Sequence, residues 1–250
     1  HDLRDNEPFG MFSVDMDQIV RIHSSSGTTG KPTVVGYTEH DMDIWAEVMG
    51  RAFTMGGVTC QDIMQNSHGY GLFTGGLGLH YGAEKAGMTV VPVSGGMTER
   101  QILLLLDFKP EVISCTPSYA QTLAEEIRKR NISPEELNLK YAILGAEPWT
   151  EAIRTEVEIG LNVTATNLYG LSEIIGPGVS QDDFEEKEAM YGKIISFRKL
   201  WIKIPESRYL TEKREFLYLL HSQRKQCLCC DTGPMIYHIY IMISRQKGLT

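Results

Sequence analysis

The sequence predicts an α/β protein with a mostly parallel sheet flanked by helices. Short apolar or β-branched runs alternate with longer amphipathic runs, and the links between them are short. Helix signals stand at the correct ends. In "TPSYAQTLAEEIRKR" (116–130) a Thr cap and a first-turn Pro open the run, and cations close it. This α/β pattern holds through residue 187 and then stops.

In chain order, "EHDMDIWAEVMGRAF" (39–53) carries apolar residues at helical spacing, and "MTVVPV" (88–93) reads as a strand. "TERQILLLLDF" (98–108) reads as a helix opening at Thr98, and "EVISC" (111–115) as a buried strand. The run from 116 to 130 is the next helix. "YAILG" (141–145) and "NVTATNLYG" (162–170) each read as a strand passing into a loop, with "PWTEAIRTEVE" a helix between them. In such sheets ligands lie in the loops beyond the strand carboxyl ends. No internal repeat or low-complexity segment interrupts the pattern.

Composition narrows the function class. The 250 residues are 42% hydrophobic and 22% charged, which suits one large domain or two small ones. No run of about 18 apolar residues exists, so a membrane span is not expected. The opening "HDLRDNEPFG" is acidic and polar, unlike a signal peptide. Five cysteines without a secretory signal point to a reducing compartment, hence a cytoplasmic setting. Cys60 and Cys115 read as small core residues. A net charge of −8 argues against nucleic-acid binding. The charge is uneven. Residues 188–250 hold 11 Lys/Arg against 5 Asp/Glu, net +6, which leaves 13 against 27, net −14, for residues 1–187.

The strongest motif is "HSSSGTTGKPTVVGYT" (23–38). Hydroxyls crowd around Gly27 and Gly30, and Lys31 follows. Glycines let backbone N–H groups approach an anion, hydroxyls donate hydrogen bonds, and lysine adds a point charge. The composition is that of a phosphate-grasping loop, or of a plain Ser/Gly surface loop. It is not a Walker loop: Ser25 stands where the first Gly belongs, and Pro32 replaces the Ser/Thr after Lys. Pro32 and "TVVGYT" also lead into a strand rather than a helix.

Ser25–Pro32, "SSGTTGKP", resembles the nucleotide loop of adenylate-forming enzymes, the acyl- and aryl-CoA synthetase superfamily, in the form carried by the phenylacetate–CoA ligase family. Two further motifs agree in the order that family requires. "LGAEPW" (144–149) is similar to its adenine-contacting loop, although Glu147 alone could equally be a helix N-terminal carboxylate. "NLYGLSE" (167–173) is similar to its Tyr-Gly-x-Ser-Glu motif, in which the Tyr stacks on adenine and the Glu holds Mg²⁺ against the phosphates. The chemistry is sensible, since an aromatic face suits a purine and a carboxylate a hard cation. Read alone, Tyr169 would be a core aromatic and Glu173 a helix-start carboxylate. "NSHGYGLFTGGLGLHYGAEKAG" (66–87) is dense in glycine with Tyr70, Phe73 and Tyr81 interspersed. In the family this segment lines the aryl-acid pocket, with His68, Tyr70 and Phe73 expected nearest the acid. The alternative is a glycine-rich helix-packing segment. His40 and His80 read as ordinary polar residues.

The resemblance implies a partial large N-terminal domain of the adenylate-forming fold over residues 1–187, with the small C-terminal lid and the family's earliest N-terminal segment absent. It implies ATP, Mg²⁺ and coenzyme A. Lys31 and Glu173 become the catalytic residues, with Glu173 the Mg²⁺ ligand. Nucleotide binding falls to Ser24, Ser25, Ser26, Gly27, Thr28, Thr29, Gly30, Lys31, then Gly145, Ala146, Glu147, Pro148, and Asn167, Leu168, Tyr169, Gly170, Ser172. The implied reaction joins an aryl or arylacetic acid to AMP and then to CoA. Adenylation followed by transfer to a carrier-protein thiol stays open, as does a non-catalytic nucleotide-binding remnant. The expected partners are the small-molecule acid, ATP and CoA; a homodimer is compatible with the resemblance, and neither nucleic acid nor membrane is expected.

Residues 188–250 depart from the family. "RKQCLCCDTGPMIYH" (224–238) suggests a Cys/His metal cluster, yet its spacing fits no common zinc pattern. Back-translated with permitted codons and read one base earlier, it becomes "KEAMPLLRYRTHDLS", which contains the family's ribose-binding motif. The same shift turns 190–201 into "VWEDHFIPEIV" and 202–216 into a string containing "TGKPLPYGEKG". Residues from about 188 onward are therefore expected to be an out-of-frame tail, with no domain, metal or function of their own.

Overall fold

The computed structural model describes residues 6, 8–25, 32–172, 174–182, 184 and 189–191. Of the expected out-of-frame tail from about 188, residues 189–191 are described and 192–250 lie outside the described residues. A two-stranded antiparallel hairpin, β1 (Arg21–Ser24) with β2 (Val34–Tyr37), stands apart from a seven-stranded sheet. That sheet contains β3 (Ile63–Asn66), β4 (Thr89–Val91), β5 (Val112–Cys115), β6 (Tyr141–Gly145), β7 (Thr164–Leu171), β8 (Gly176–Asp182) and β9 (Ala189–Tyr191). The strand order is 4-3-5-6-7-8-9. Pairs β4–β3, β3–β5, β5–β6 and β6–β7 are parallel, while β7–β8 and β8–β9 are antiparallel.

Five helices are described: α1 (Glu39–Met55), α2 (Thr74–Lys85), α3 (Thr98–Phe108), α4 (Pro117–Lys129) and α5 (Glu151–Leu161). Three of them open on a side-chain cap. Thr38 and Asp41 form a reciprocal capping box at α1. Thr116 caps α4, Pro117 fills its first turn, and Arg128 and Lys129 close it. Thr150 caps α5, and Asn162 turns left-handed at its end.

The two sheet faces bury different helices. Strand side chains alternate between faces, so Ile113, Cys115, Ala142 and Leu144 join Leu105, Leu123 and Val157 of α3, α4 and α5. Val112, Ile143 and Met64 join Trp45, Phe53, Leu79 and Ala83 of α1 and α2. The α1–α2 seam is unusually close: a Cβ on Gly82 would stand 2.2 Å from Met49 Cβ, and one on Gly78 would stand 2.3 Å from Trp45 Cζ2. These glycines of the 66–87 stretch therefore pack helices, the alternative reading of that segment.

The connections fix where a ligand can lie. From β3 the chain crosses by α2 to β4 on one side. It then returns by α3, on the opposite face, to β5 on the other side of β3. The carboxyl ends of β3 and β5 therefore flank a topological switch point, where doubly wound sheets open a crevice.

Two expectations are corrected. The run at 162–170 does not pass from strand into loop: β7 continues through Tyr169 to Leu171, because β8 pairs with it antiparallel across an irregularity at Tyr169/Gly170. Cys60 is exposed, since it lies in the short link before β3; only Cys115 is a core residue.

Candidate active site

The phosphate-loop candidate rises from a closed base. Ser25 N–H donates to Thr33 O at 2.9 Å, and Thr33 N–H donates to Ser25 Oγ at 2.9 Å. Ser24 is buried, and its hydroxyl donates to Ser25 O. Ser25 and Thr33 thus pin the two ends of the loop together. Ser26, Gly27, Thr28, Thr29, Gly30 and Lys31 lie outside the described residues. Ser24 N–H and His23 Nδ1 both bond the Leu72 carbonyl, at 2.8 and 2.9 Å. The base of the loop is thereby tied to the segment that carries the acid-pocket candidates.

That segment, 67–73, leaves β3 at the switch point. His68 is buried, and burial pushes its pKa from 6.5 down to about 4, so the ring is neutral near pH 7. The negative field of Glu147 and the Cys115 carbonyl pull weakly the other way. Phe73, 39% exposed, and His68 both border Gly75 in the first turn of α2. The Tyr70 side chain is held by polar partners. Its hydroxyl accepts from Asn66 Nδ2 at 2.8 Å and bonds His80 Nδ1 at 3.0 Å, and His80 Nε2 bonds Glu84 at 3.1 Å. A carboxylate only accepts, so His80 Nε2 donates to Glu84. Burial pushes the Tyr70 pKa up to about 12. The structure therefore groups His68 with Phe73, and engages the Tyr70 hydroxyl with Asn66 and His80.

The loop after β6 carries Gly145 to Pro148. Ala146 holds φ +70°, a left-handed conformation that costs an alanine roughly 1–2 kcal/mol. Glu147 accepts from Ser118 N–H at 3.2 Å, in the first turn of α4. The plainer reading of Glu147, a helix N-terminal carboxylate, is what the structure shows, although the helix is α4 rather than the one that follows. Gly145 pairs with Leu168, and Leu144 with Asn167, so the 145–148 segment begins beside 167–168 at the carboxyl end of β6. Leu168 is buried, whereas Tyr169 is 38% exposed, which removes the core-aromatic reading. Gly170 needs its missing side chain, because a Cβ there would meet Gly176 O at 2.0 Å. Glu173 lies outside the described residues. The buried Ser172 and Thr74 hydroxyls have no partner among the described residues, and Thr74 borders Gly176.

Some residues that build the site gave no sequence signal. Asn66 links Tyr70, the Gly76 carbonyl, the His68 amide and the Ser114 hydroxyl. Gln101 accepts from Gln65 Nε2 and Ser67 Oγ, and donates to the Ser94 and Gly96 carbonyls. Trp149 Nε1 donates to Asn167 Oδ1 at 2.9 Å. Buried Arg154 pairs with Asp182 at 2.8 Å and lies 4.6 Å from the Trp149 ring centre. The available clue was polar residues inside strand runs, as in "IMQN" and "SQDD".

The doubly wound sheet, with a loop base closed by Ser25 and Thr33, is the architecture of part of an adenylate-forming domain. The family model described as AMP-binding enzyme matches residues 4–212, and the chain belongs to that family. Curated relatives that it is similar to are phenylacetate–coenzyme A ligases. It is 65% identical over 190 residues to a phenylacetate-coenzyme A ligase of Thermus thermophilus, covering 76% of this chain and 43% of that relative. It is 53% identical to one of Escherichia coli, over 74% of this chain and 42% of the relative. The chain thus spans less than half the length of these curated relatives. A solved 2-hydroxyisobutyryl-CoA ligase, in complex with 2-HIB-AMP and CoA, superposes with a TM-score of 0.70 at 26% identity, over 74% of this chain and 41% of that chain. Among the described residues, no helix is long and apolar enough to cross a membrane.

Proposed function

We propose that the full-length protein to which this chain corresponds activates phenylacetate or a related aryl acid, first to an acyl-adenylate and then to the CoA thioester. The observation that carries the reading is the shared Leu72 carbonyl. It fastens the base of the phosphate-loop candidate to the segment bearing His68 and Phe73, which supports a triphosphate and a carboxylate sharing the switch-point crevice. The acid's carboxylate attacks the α-phosphorus of ATP and pyrophosphate leaves; the CoA thiol then displaces AMP. The first step needs mainly alignment and charge neutralisation. Ser24 to Lys31 would hold the β- and γ-phosphates, and Tyr169 with Gly145–Pro148 the adenine. His68, Tyr70 and Phe73 would frame the acid.

The donors near residue 173 fit a hard cation. The unpartnered Ser172 and Thr74 hydroxyls, with the Glu173 carboxylate that the sequence supplies, make an all-oxygen set. Mg²⁺ held there would neutralise triphosphate charge. We place the reaction in the cytoplasm, and we take residues from about 188 as an out-of-frame tail whose repair restores the ribose-binding segment. Acid-dependent ATP–pyrophosphate exchange by the frame-repaired, full-length chain, with CoA as thiol acceptor, tests the reading. Exchange with phenylacetate or another aryl acid supports it. ATP binding without exchange for any acid in a panel would mean a nucleotide-binding remnant.

A further inference from the structure

Four residues close a circuit behind the candidate nucleotide site. The Trp149 indole N–H donates to Asn167 Oδ1 at 2.9 Å. The Asn167 backbone N–H donates to Asp182 Oδ2 at 2.9 Å. Asp182 Oδ2 also accepts from Arg154 Nη2 at 2.8 Å, and the Arg154 guanidinium lies 4.6 Å from the Trp149 ring centre. Arg154 and Asp182 are both buried. Asn167 is therefore held at its main chain and its side chain by one closed set of contacts, on the strand beside Leu144 and next to the Gly145–Pro148 loop.

The circuit fixes more than position. An indole N–H can only donate, so it decides which end of the Asn167 amide faces it. The oxygen must, and it spends one of its two lone pairs there. One acceptor lone pair and the two N–H donors of the amide remain. That pair matches the exocyclic amino group of adenine and an adjacent ring nitrogen, the pattern by which asparagine reads adenine. Guanine offers an acceptor oxygen where adenine offers the amino group, and an N–H at N1. To suit guanine the amide would have to turn over, setting its NH₂ against the indole N–H.

We propose that Trp149 is a positioning residue that locks the Asn167 amide and so makes the site select adenine over guanine nucleotides. The inference rests on the reading of Asn167 as nucleotide-binding. It deepens that reading by naming the group that sets base specificity.

The test is titration of the 250-residue chain and its variants with MgATP and MgGTP, with cooperative thermal unfolding as the check of fold. Wild type is expected to prefer ATP by about tenfold or more, the discrimination of one bidentate base contact. Trp149→Phe keeps an aromatic ring and removes the N–H, freeing both amide orientations. Its ATP:GTP ratio should fall by about tenfold, with GTP binding tighter than in wild type. General damage would weaken both nucleotides, so a gain for GTP is specific to the lock. Asn167→Asp keeps the indole's acceptor and replaces the amide donor by a second acceptor, so it should weaken ATP several-fold while the N–H groups of guanine let GTP gain. If Trp149→Phe does not fold, Trp149→Leu, which also lacks the N–H, takes its place and decides the matter. An unchanged ratio in Trp149→Phe, with ATP weakened by Asn167→Ala, overturns the lock alone. ATP binding unaffected by Asn167→Ala overturns the reading of Asn167 and the lock with it.

Discussion

His68 gives the sharpest prediction, because one buried imidazole separates folded from unfolded protonation. In the unfolded chain its pKa is the ordinary 6.5; in the fold, burial brings it down to about 4. Above pH 6.5 neither state holds the proton, and the neutral ring contributes its full share of stability. As pH falls from 6.5 toward 4 the unfolded state takes up the proton and the folded state does not, so stability is lost across that window. At pH 5 the loss is about 2 kcal/mol, and it levels off near 3 kcal/mol below pH 4. The perturbation is His68→Phe, which keeps an aromatic ring and removes the titration. Urea unfolding of both proteins at pH 7.5 and pH 5 should show wild type losing about 2 kcal/mol more than the variant. Burial also lowers the pKa of His23, but that group is common to both proteins and largely cancels in the difference. The histidine C2–H resonances give a direct check. A His68 titration midpoint near 6.5, or equal acid sensitivity of the two proteins, would refute the reasoning.

Gly82→Ala should destabilise the chain by about 1–3 kcal/mol, although alanine is the better helix former: the new Cβ would stand 2.2 Å from Met49 Cβ, and denaturant unfolding reads the loss. Arg154→Leu or Asp182→Leu alone should each cost about 3–5 kcal/mol by stranding a buried charge, while the double replacement costs less than their sum; a double-mutant cycle measures the coupling. In the frame-repaired protein, Lys31→Ala and Glu173→Gln should each lower kcat for pyrophosphate exchange by about 100-fold or more while leaving thermal unfolding unchanged; a change confined to KM would remove both from the catalytic role. Resequencing the codons for 188–250 should return those permitting the shifted reading, and any other codon set ends the out-of-frame proposal.

The helices and inner strands were legible because their causes are local. Thr98, Thr116 and Pro117 announce starts, and "EVISC" and "YAILG" are apolar enough to read as buried strands. β3 was not legible. Its sequence "IMQN" ends in two amides that are buried only because Gln101 and Ser114 reach them from sequence positions far away. Likewise the extension of β7 through Tyr169 depends on pairing with β8, which no pattern in "NLYG" states. The site divides along the same line. Motif residues such as Tyr169 and Ser25 could be picked out by type and order, whereas Trp149, Arg154 and Asp182 could not, since their roles exist only once three strands and a helix are assembled.

That division has a physical consequence for this fold. Residues that touch a ligand must present common chemistry, so they repeat as short motifs. Residues that orient them need only satisfy one neighbour, here a donor-only indole against an amide oxygen, and many sequences could do so. The Ala146 backbone, held left-handed between β6 and Pro148, is a case at the boundary. It bends the loop toward α4, where Glu147 accepts from the first-turn Ser118 amide. A glycine at 146 would relieve the strain but widen the unfolded ensemble, two effects of similar size and opposite sign. Ala146→Gly should therefore change stability by less than about 1 kcal/mol. If the strained backbone aims the loop at the nucleotide, the same variant should weaken MgATP binding several-fold; unchanged binding would leave the strain without a part in recognition.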